Sequence, residues 1–192
     1  MLTVPNILTA LRIALTPVII LQMLAEDYRR AFWFVMAAGL TDAIDGRLAR
    51  RFHWESRAGA YLDPIADKFL LTSLFVCFWI NQRVPGWLMG IVVGRDVLIL
   101  SMVGFALLFT RFRDFPPSIW GKLNTALQIL LALVLTVTAA FPGTEPPVLI
   151  EAMIWLTGIS TAWSGIHYAG RGVRMMIMRN RFMPADRRGV RG

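Results

Sequence analysis

The sequence predicts an all-α, polytopic membrane protein, a bundle of six transmembrane helices, and three observations predict it. Hydrophobic residues fill 56% of the 192 positions and charged residues only 17%, against about 25% charged in a typical soluble domain. Six apolar stretches are each long enough to cross a bilayer as helix, which takes about 20 residues. Basic residues collect in alternate connections between those stretches, the pattern that orients membrane helices. A mean hydropathy of +0.57 excludes a disordered chain. Cys77, the one cysteine, excludes an intramolecular disulfide framework and a cysteine-rich metal site.

The six stretches are Ile7–Ala25, Ala31–Ala49, Gly59–Ile80, Trp87–Phe109, Ile119–Phe141 and Val148–Arg171. Polar and turn-forming residues separate them: Glu26 to Arg30, Asn81 to Gly86, Pro116-Pro117-Ser118, and Pro142 to Pro147. The first stretch carries Arg12 inside it, has no basic residues ahead of it and no A-x-A site after it, so it reads as a retained helix. Composition divides the chain into a transmembrane domain, 1–175, and a basic tail, 176–192.

The net charge is +8, and 18 of the 20 basic residues are arginine. Arg50, Arg51 and Arg57, then Arg111, Arg113 and Lys122, then the seven arginines from Arg171 onward lie on one side, 13 in all; Arg29, Arg30 and Arg83 lie on the other. The positive-inside rule therefore places both termini, the second and fourth connections and the tail in the cytoplasm, with the chain in the inner (cytoplasmic) membrane. A charge distribution explained by topology leaves no need for a nucleic-acid partner. The tail can also attract anionic lipid head groups.

The stretch from Thr41 to Lys68, TDAIDGRLARRFHWESRAGAYLDPIADK, places carboxylates where an apolar span should have none. Ionisable groups within membrane helices mark function by default. At about 100° per residue, Asp42, Asp45, Gly46, Ala49 and Arg50 share one broad face of the second helix, and Gly59, Asp63 and Asp67 share a face of the third. Asp45 lies about 7 Å of helix from Arg50, and Asp63 about 6 Å from Gly59. The two helices are expected to be antiparallel neighbours joined by a short cytoplasmic loop, so the four carboxylates should meet at one depth just inside the cytoplasmic interface. Four like charges that close repel strongly in a low-dielectric site. Divalent cations relieve this, and an all-oxygen donor set suits Mg²⁺, Mn²⁺ or Ca²⁺. Two such ions can clamp the attacking and leaving oxygens of a phosphoryl transfer. Gly46, Ala49 and Gly59 leave room beside them for a bulky ligand such as a nucleotide; the competing explanation is close helix packing.

The spacing D-x-x-D-G-x-x-A-R-x₈-G-x-x-x-D-x-x-x-D, filled by Asp42, Asp45, Gly46, Ala49, Arg50, Gly59, Asp63 and Asp67, resembles without departure the signature of the CDP-alcohol phosphatidyltransferase family. The resemblance implies six transmembrane helices, a homodimer, and transfer of a phosphatidyl group from a CDP-linked lipid to an alcohol with release of CMP, dependent on two Mg²⁺ or Mn²⁺ ions. It assigns Asp42, Asp45 and Asp63 as metal ligands. Asp67 becomes the general base bordering the second metal, and Gly46, Ala49, Arg50 and Gly59 line the CDP moiety.

The acceptor alcohol is narrower ground. VPNILTALRIALTPVI resembles the start of bacterial phosphatidylglycerophosphate synthases and of CMP-forming cardiolipin synthases alike. SIWGKLNTALQ, with Lys122, Asn124, Thr125 and Gln128, resembles the K-x-N-T-x-x-Q stretch of the eukaryotic-type cardiolipin synthases, and HYAGRGVR resembles their ending. The resemblance thus favours CDP-diacylglycerol and phosphatidylglycerol as lipid substrates, with glycerol 3-phosphate as the alternative acceptor. Arg95, Lys122 and Asn124 are the candidate acceptor-binding residues; for Arg95 the competing role is an ion pair with neighbouring Asp96.

Overall fold

A computed structural model of the chain describes residues 4–52, 57–109, 119–144 and 146–182, with side chains described at 10–41, 65–102, 104, 119–144 and 146–170. Every regular element among them is helical: α1 Val4–Leu24, α2 Tyr28–Phe52, α3 Arg57–Ile80, α4 Gly86–Phe109, α5 Ile119–Ala140 and α6 Pro147–Phe182. Each expected apolar stretch lies in one of these helices, apart from a residue at the end of the first and of the fifth. The last helix is longer than its apolar part. It continues unbroken past position 175, where composition placed a boundary, and carries Arg171, Arg174, Arg179 and Arg181. Arginine and methionine are good helix formers, so the change that ends an apolar span need not end the helix.

Ile119–Ala140 and the Pro147–Gly170 part of α6 are, among the described residues, long and apolar enough to cross a membrane by length and composition; the apolar part of α1, Ala10–Leu24, is shorter. Many large apolar side chains are exposed, and several polar ones are buried beside the apolar core. Leu21, Trp33, Ile119, Val148, Ile159 and Ile166 are all more than 60% exposed, whereas Arg12, Thr16, Arg95, Asp96, Asn124, Gln128, Thr161 and Ser164 are buried.

Buried positions recur at three- and four-residue steps. They are Arg12, Thr16, Ile19 and Met23 on α1; Leu88, Val92, Arg95 and Asp96 on α4; Asn124, Gln128, Leu131 and Leu135 on α5; and Thr157, Thr161 and Ser164 on α6. This is the spacing of a single helical face. Around Phe75 and Phe78 of α3, both fully buried, Ile19, Met23, Leu74, Leu88, Leu131 and Leu135 complete an apolar core.

α1 packs against both α2 and α3, α5 against α6, α2 and α3, and α4 against α6 and α3. No contact joins α2 to α3 among the described residues. α1 contacts both, and the ends at which α2 and α3 would meet, next to positions 53–56, have side chains outside the described residues. Periodicity identifies a helix's buried face without saying which helix covers it.

The turns between α1 and α2, α3 and α4, and α5 and α6 sit at one end of the bundle. There Asn81 Nδ2 donates to the Met23 carbonyl at 2.8 Å and to the Tyr28 hydroxyl at 2.9 Å. Asp27 caps α2 through the Arg30 N–H, 3.2 Å away. α1 and α3 end alike, each with a residue in the left-handed region, Glu26 at φ 57° and Gln82 at φ 56°. Asp27 N–H bonds Gln22 O at 2.9 Å and Arg83 N–H bonds Phe78 O at 2.8 Å, the long bond of a Schellman turn in each case. A cavity of about 400 Å³ at the α3–α4 turn is lined by Trp79, Gln82, Arg83, Val84, Pro85 and Gly86.

Two stability outcomes follow. Gln82→Gly removes the left-handed penalty of a residue with a Cβ and should raise stability by about 1 kcal/mol, read as a higher melting temperature of the detergent-solubilised protein. At Gly158, a Cβ would lie 2.5 Å from the Trp87 ring. Gly158→Ala should therefore cost about 1–3 kcal/mol by overpacking the α4–α6 contact, and a second change, Trp87→Leu, should recover part of the loss in the same melting experiment.

Candidate active site

The helices bring charged side chains together away from the turn end. Asp67 lies 13 residues before the end of α3, about 20 Å along it from the cavity at the α3–α4 turn. Arg12 of α1 donates through Nη1 to Asp67 Oδ1. The arginine side chain is 7% exposed and the aspartate side chain 52%. One residue further along α3, Lys68 turns about 100° away and pairs with Asp96 of α4, Nζ to Oδ1 2.5 Å. Arg95 Nη1 reaches the same Oδ1 at 2.7 Å, and its Nη2 donates to Ser164 Oγ of α6 at 3.3 Å. The Arg95 guanidinium lies 5.7 Å from the centre of the Tyr168 ring, within cation–π range. Consecutive residues of α3 thus tie it to α1 on one side and to α4 on the other, and Arg95 of α4 carries the link on to α6.

A second polar group joins α5 to α6. The Thr161 hydroxyl lies 2.8 Å from Asn124 Oδ1 and 2.7 Å from the Thr157 carbonyl, and accepts from Gln128 Nε2 at 3.3 Å. Asn124 is completely buried. Its Nδ2 and the Nε of Arg95 are buried donors without a hydrogen-bond partner among the described residues.

Of the acceptor candidates, Arg95 and Asn124 are buried on α4 and α5, and Lys122 lies on the exposed side of α5. Lys122 and Asn124, two residues apart on a helix, do not share a face. The Arg95–Asp96 ion pair anticipated as a competing role is present, and Lys68 shares it. Arg12, Lys68, Thr161 and Ser164 are additions that motif reading missed. Arg12 was findable as a lone charge on an apolar helix; Lys68 was hidden beside a motif aspartate.

Of the four motif aspartates only the Asp67 side chain is described; those of Asp42, Asp45 and Asp63, with Gly46, Ala49, Arg50 and Gly59, lie outside the described residues. No group of three His, Cys, Asp or Glu side chains gathers among the described residues. Backbone placement still bears on the donor set. Positions 42 and 45 are helical in α2, and 63 and 67 in α3, so each pair keeps its shared face. α2 ends at Phe52 and α3 starts at Arg57, and five residue steps span at most about 18 Å. A cation between two aspartates does not require touching helices, because two Asp side chains and two metal–oxygen bonds bridge about 11 Å between Cα atoms. A four-carboxylate, all-oxygen set fits hard divalent cations.

The family model for CDP-alcohol phosphatidyltransferase matches residues 2–164. The chain belongs to the CDP-alcohol phosphatidyltransferase family. It is 34% identical to a probable CMP-forming cardiolipin synthase of Drosophila melanogaster over 87% of this chain and 56% of the fly protein. With a Schizosaccharomyces pombe protein described as a fusion of CMP-forming cardiolipin synthase with a mitochondrial hydrolase, it is 35% identical over 86% of this chain and 30% of that protein. It is also 29% identical to a CDP-diacylglycerol–glycerol-3-phosphate 3-phosphatidyltransferase of Aquifex aeolicus, over 91% of this chain and 98% of that one. The chain spans less than two thirds of the length of the curated cardiolipin synthases it matches.

The shared carboxylate yields a stability expectation. Asp96→Asn leaves the buried Arg95 and the part-buried Lys68 without their common counter-charge, and removal of one partner of a buried ion pair costs about 3 kcal/mol or more. Lys68→Met keeps the Arg95–Asp96 pair and should cost clearly less. Melting temperatures of the two purified variants in the same detergent provide the comparison.

Proposed function

We propose that this chain is a membrane-embedded enzyme that transfers a phosphatidyl group from CDP-diacylglycerol to the free hydroxyl of phosphatidylglycerol, giving cardiolipin and CMP. The observation that carries the reading is the complete signature of aspartates, glycines and arginine in a chain of this family, with Asp67 held accessible beside a buried cluster of cations. All six helices cross the bilayer on this reading, which the many exposed large apolar side chains and the polar groups buried between helices support. The charge asymmetry puts both termini and the site on the cytoplasmic side of the inner membrane. The homodimer implied by the family resemblance belongs to the same reading.

Asp42, Asp45, Asp63 and Asp67 would hold two Mg²⁺ or Mn²⁺ ions, which would supply charge neutralisation of the pyrophosphate. Gly46, Ala49 and Gly59 leave space for the cytidine nucleotide, and Arg50 offers a planar donor fork to phosphate. Asp67 accepts the proton of the acceptor hydroxyl. That oxygen forms a bond to the lipid-side phosphorus, and the bond from this phosphorus to the CMP oxygen breaks. Orienting the hydroxyl opposite the departing oxygen supplies much of the acceleration.

The acceptor choice draws support from charge. Lys68 and Arg95 share a single carboxylate, Asp96, so the cluster has a formal excess of one positive charge. That suits the single diester charge of phosphatidylglycerol better than the two charges of glycerol 3-phosphate. Asn124, in place of a cation on α5, adds none inside the bundle; Lys122, on the exposed side of α5 and so outside that count, completes with Arg95 the acceptor-binding set of this reading. Glycerol 3-phosphate is the second reading, favoured by the Aquifex aeolicus relative, which this chain matches over nearly its full length.

Purified protein given CDP-diacylglycerol and each acceptor in turn should form cardiolipin from phosphatidylglycerol; product from glycerol 3-phosphate alone selects the second reading. Asp67→Asn should abolish CMP release to below about one thousandth of wild type while the protein remains folded. Chelation with EDTA should stop the reaction, and Mg²⁺ or Mn²⁺ should restore it.

A further inference from the structure

We propose that Arg12 is a positioning residue of this reaction, its guanidinium holding the Asp67 carboxylate in the orientation that receives the acceptor's proton. The inference rests on the reading above and adds to it a residue outside the signature.

Arg12 is the one charged residue of α1. Such a residue costs about 2.5–3.5 kcal/mol or more at the centre of a membrane helix and normally faces a partner inside the protein. Here it continues the buried stripe of Thr16, Ile19 and Met23 and meets Asp67, 55 positions away in sequence. If the pair served only to dock α1 on α3, it would be a poor device. Both helices already contribute fully buried apolar side chains to one core, Ile19 and Met23 from α1, Phe75 and Phe78 from α3, and a well-packed apolar pair commonly stabilises as well as a buried ion pair.

Burial within the pair is uneven. The cation is enclosed at 7% exposure while the carboxylate is half open at 52%. A buried donor reaching out to an accessible carboxylate is the arrangement for holding a group that must also meet something else. Engaging Oδ1 restrains rotation of the carboxylate about its Cβ–Cγ bond. The backbone beneath is restrained too, because Lys68, the next residue, is tied to Asp96 in another direction. The benefit lies in orientation, where a misplacement of about 1 Å can cost a hundredfold in rate.

The test compares Arg12→Met and Arg12→Lys with wild type in CMP release, and measures Mn²⁺ affinity by electron paramagnetic resonance. Arg12→Met should lower kcat about a hundredfold, leave KM for CDP-diacylglycerol within about threefold, and leave Mn²⁺ binding as tight or tighter, since a cation has left the site. Arg12→Lys, with charge but no planar fork, should recover about tenfold of that loss. Wild-type kcat in Arg12→Met overturns the proposal. So does a rate loss that tracks a tenfold or greater loss of Mn²⁺ affinity, which would make Arg12 part of the metal site's construction. If Arg12→Met does not fold, Arg12→Lys decides alone: a kcat about tenfold below wild type upholds positioning, and full activity overturns it. Wild type that releases CMP while Asp67→Asn does not supports the parent reading whatever the Arg12 variants do; wild type that releases none ends both.

Discussion

Charges placed among apolar helices must find opposite charges at their own depth, and this requirement organises the bundle. Asp67 and Lys68 are adjacent on α3 and point about 100° apart, so their partners must come from different helices. Arg12 on α1 answers the first and Asp96 on α4 the second. Arg95, beside Asp96, then reaches Ser164 and comes within cation–π distance of Tyr168 on α6. One dipeptide thereby fixes which helices flank α3 and how each is rotated about its axis. A register error of one residue on α1 or α4 would turn a charge by about 100° toward the apolar exterior, so the ion pairs select the packing as well as stabilise it.

The two ends of the bundle divide their work. At the turn end the contacts are short-range and structural: Asp27 capping α2, paired Schellman turns after α1 and α3, Asn81 linking both turns, and Phe32 packed edge-on against Phe141 at 5.3 Å. Toward the other end lie the accessible carboxylate, the shared Asp96 and buried donors without a partner among the described residues. Unsatisfied buried donors cost free energy and are uncommon in native folds. Two occur among the described residues, one on Arg95 and one on Asn124. In lipid this division is sharpened, because apolar burial no longer drives helices together and packing with inter-helix hydrogen bonds must do so.

How much of this is legible in the sequence depends on whether a feature is local. Helix positions are, because apolar run length and turn residues act over one element; the end of α6 is the exception, since arginine ends hydrophobicity without ending helix. Shared faces are legible as well: Asp42 with Asp45, and Asp63 with Asp67, follow from helical spacing alone. Partners across space are not. Nothing in the spacing of α1 says that Arg12 meets Asp67 or that α1 packs against both α2 and α3. Asn124 shows the same limit. Its type and its neighbours Lys122 and Thr125 suggested a residue facing an acceptor, whereas its side chain is enclosed against Thr161, because a polar residue on an apolar helix reads alike whether it faces a ligand or a neighbouring helix.

The burial of Asn124 changes how an acceptor preference would be encoded at that position. A lysine there would put an ammonium group against Thr161, which now bonds Asn124 Oδ1 and Gln128 Nε2, and a buried cation would need a counter-charge, which neither Thr161 nor Gln128 supplies. An anionic acceptor could provide it. On the proposed reading, the residue at 124 would set acceptor charge by whether the α5–α6 contact is electrically complete without ligand. With asparagine the contact carries no net charge, and the cations left to meet an acceptor phosphate are Arg95, which shares Asp96 with Lys68, and Lys122. Discrimination between a diester and a monoester phosphate would then come from the electrostatic cost of leaving charge unmatched inside the bundle, a cost that rises steeply as water is excluded.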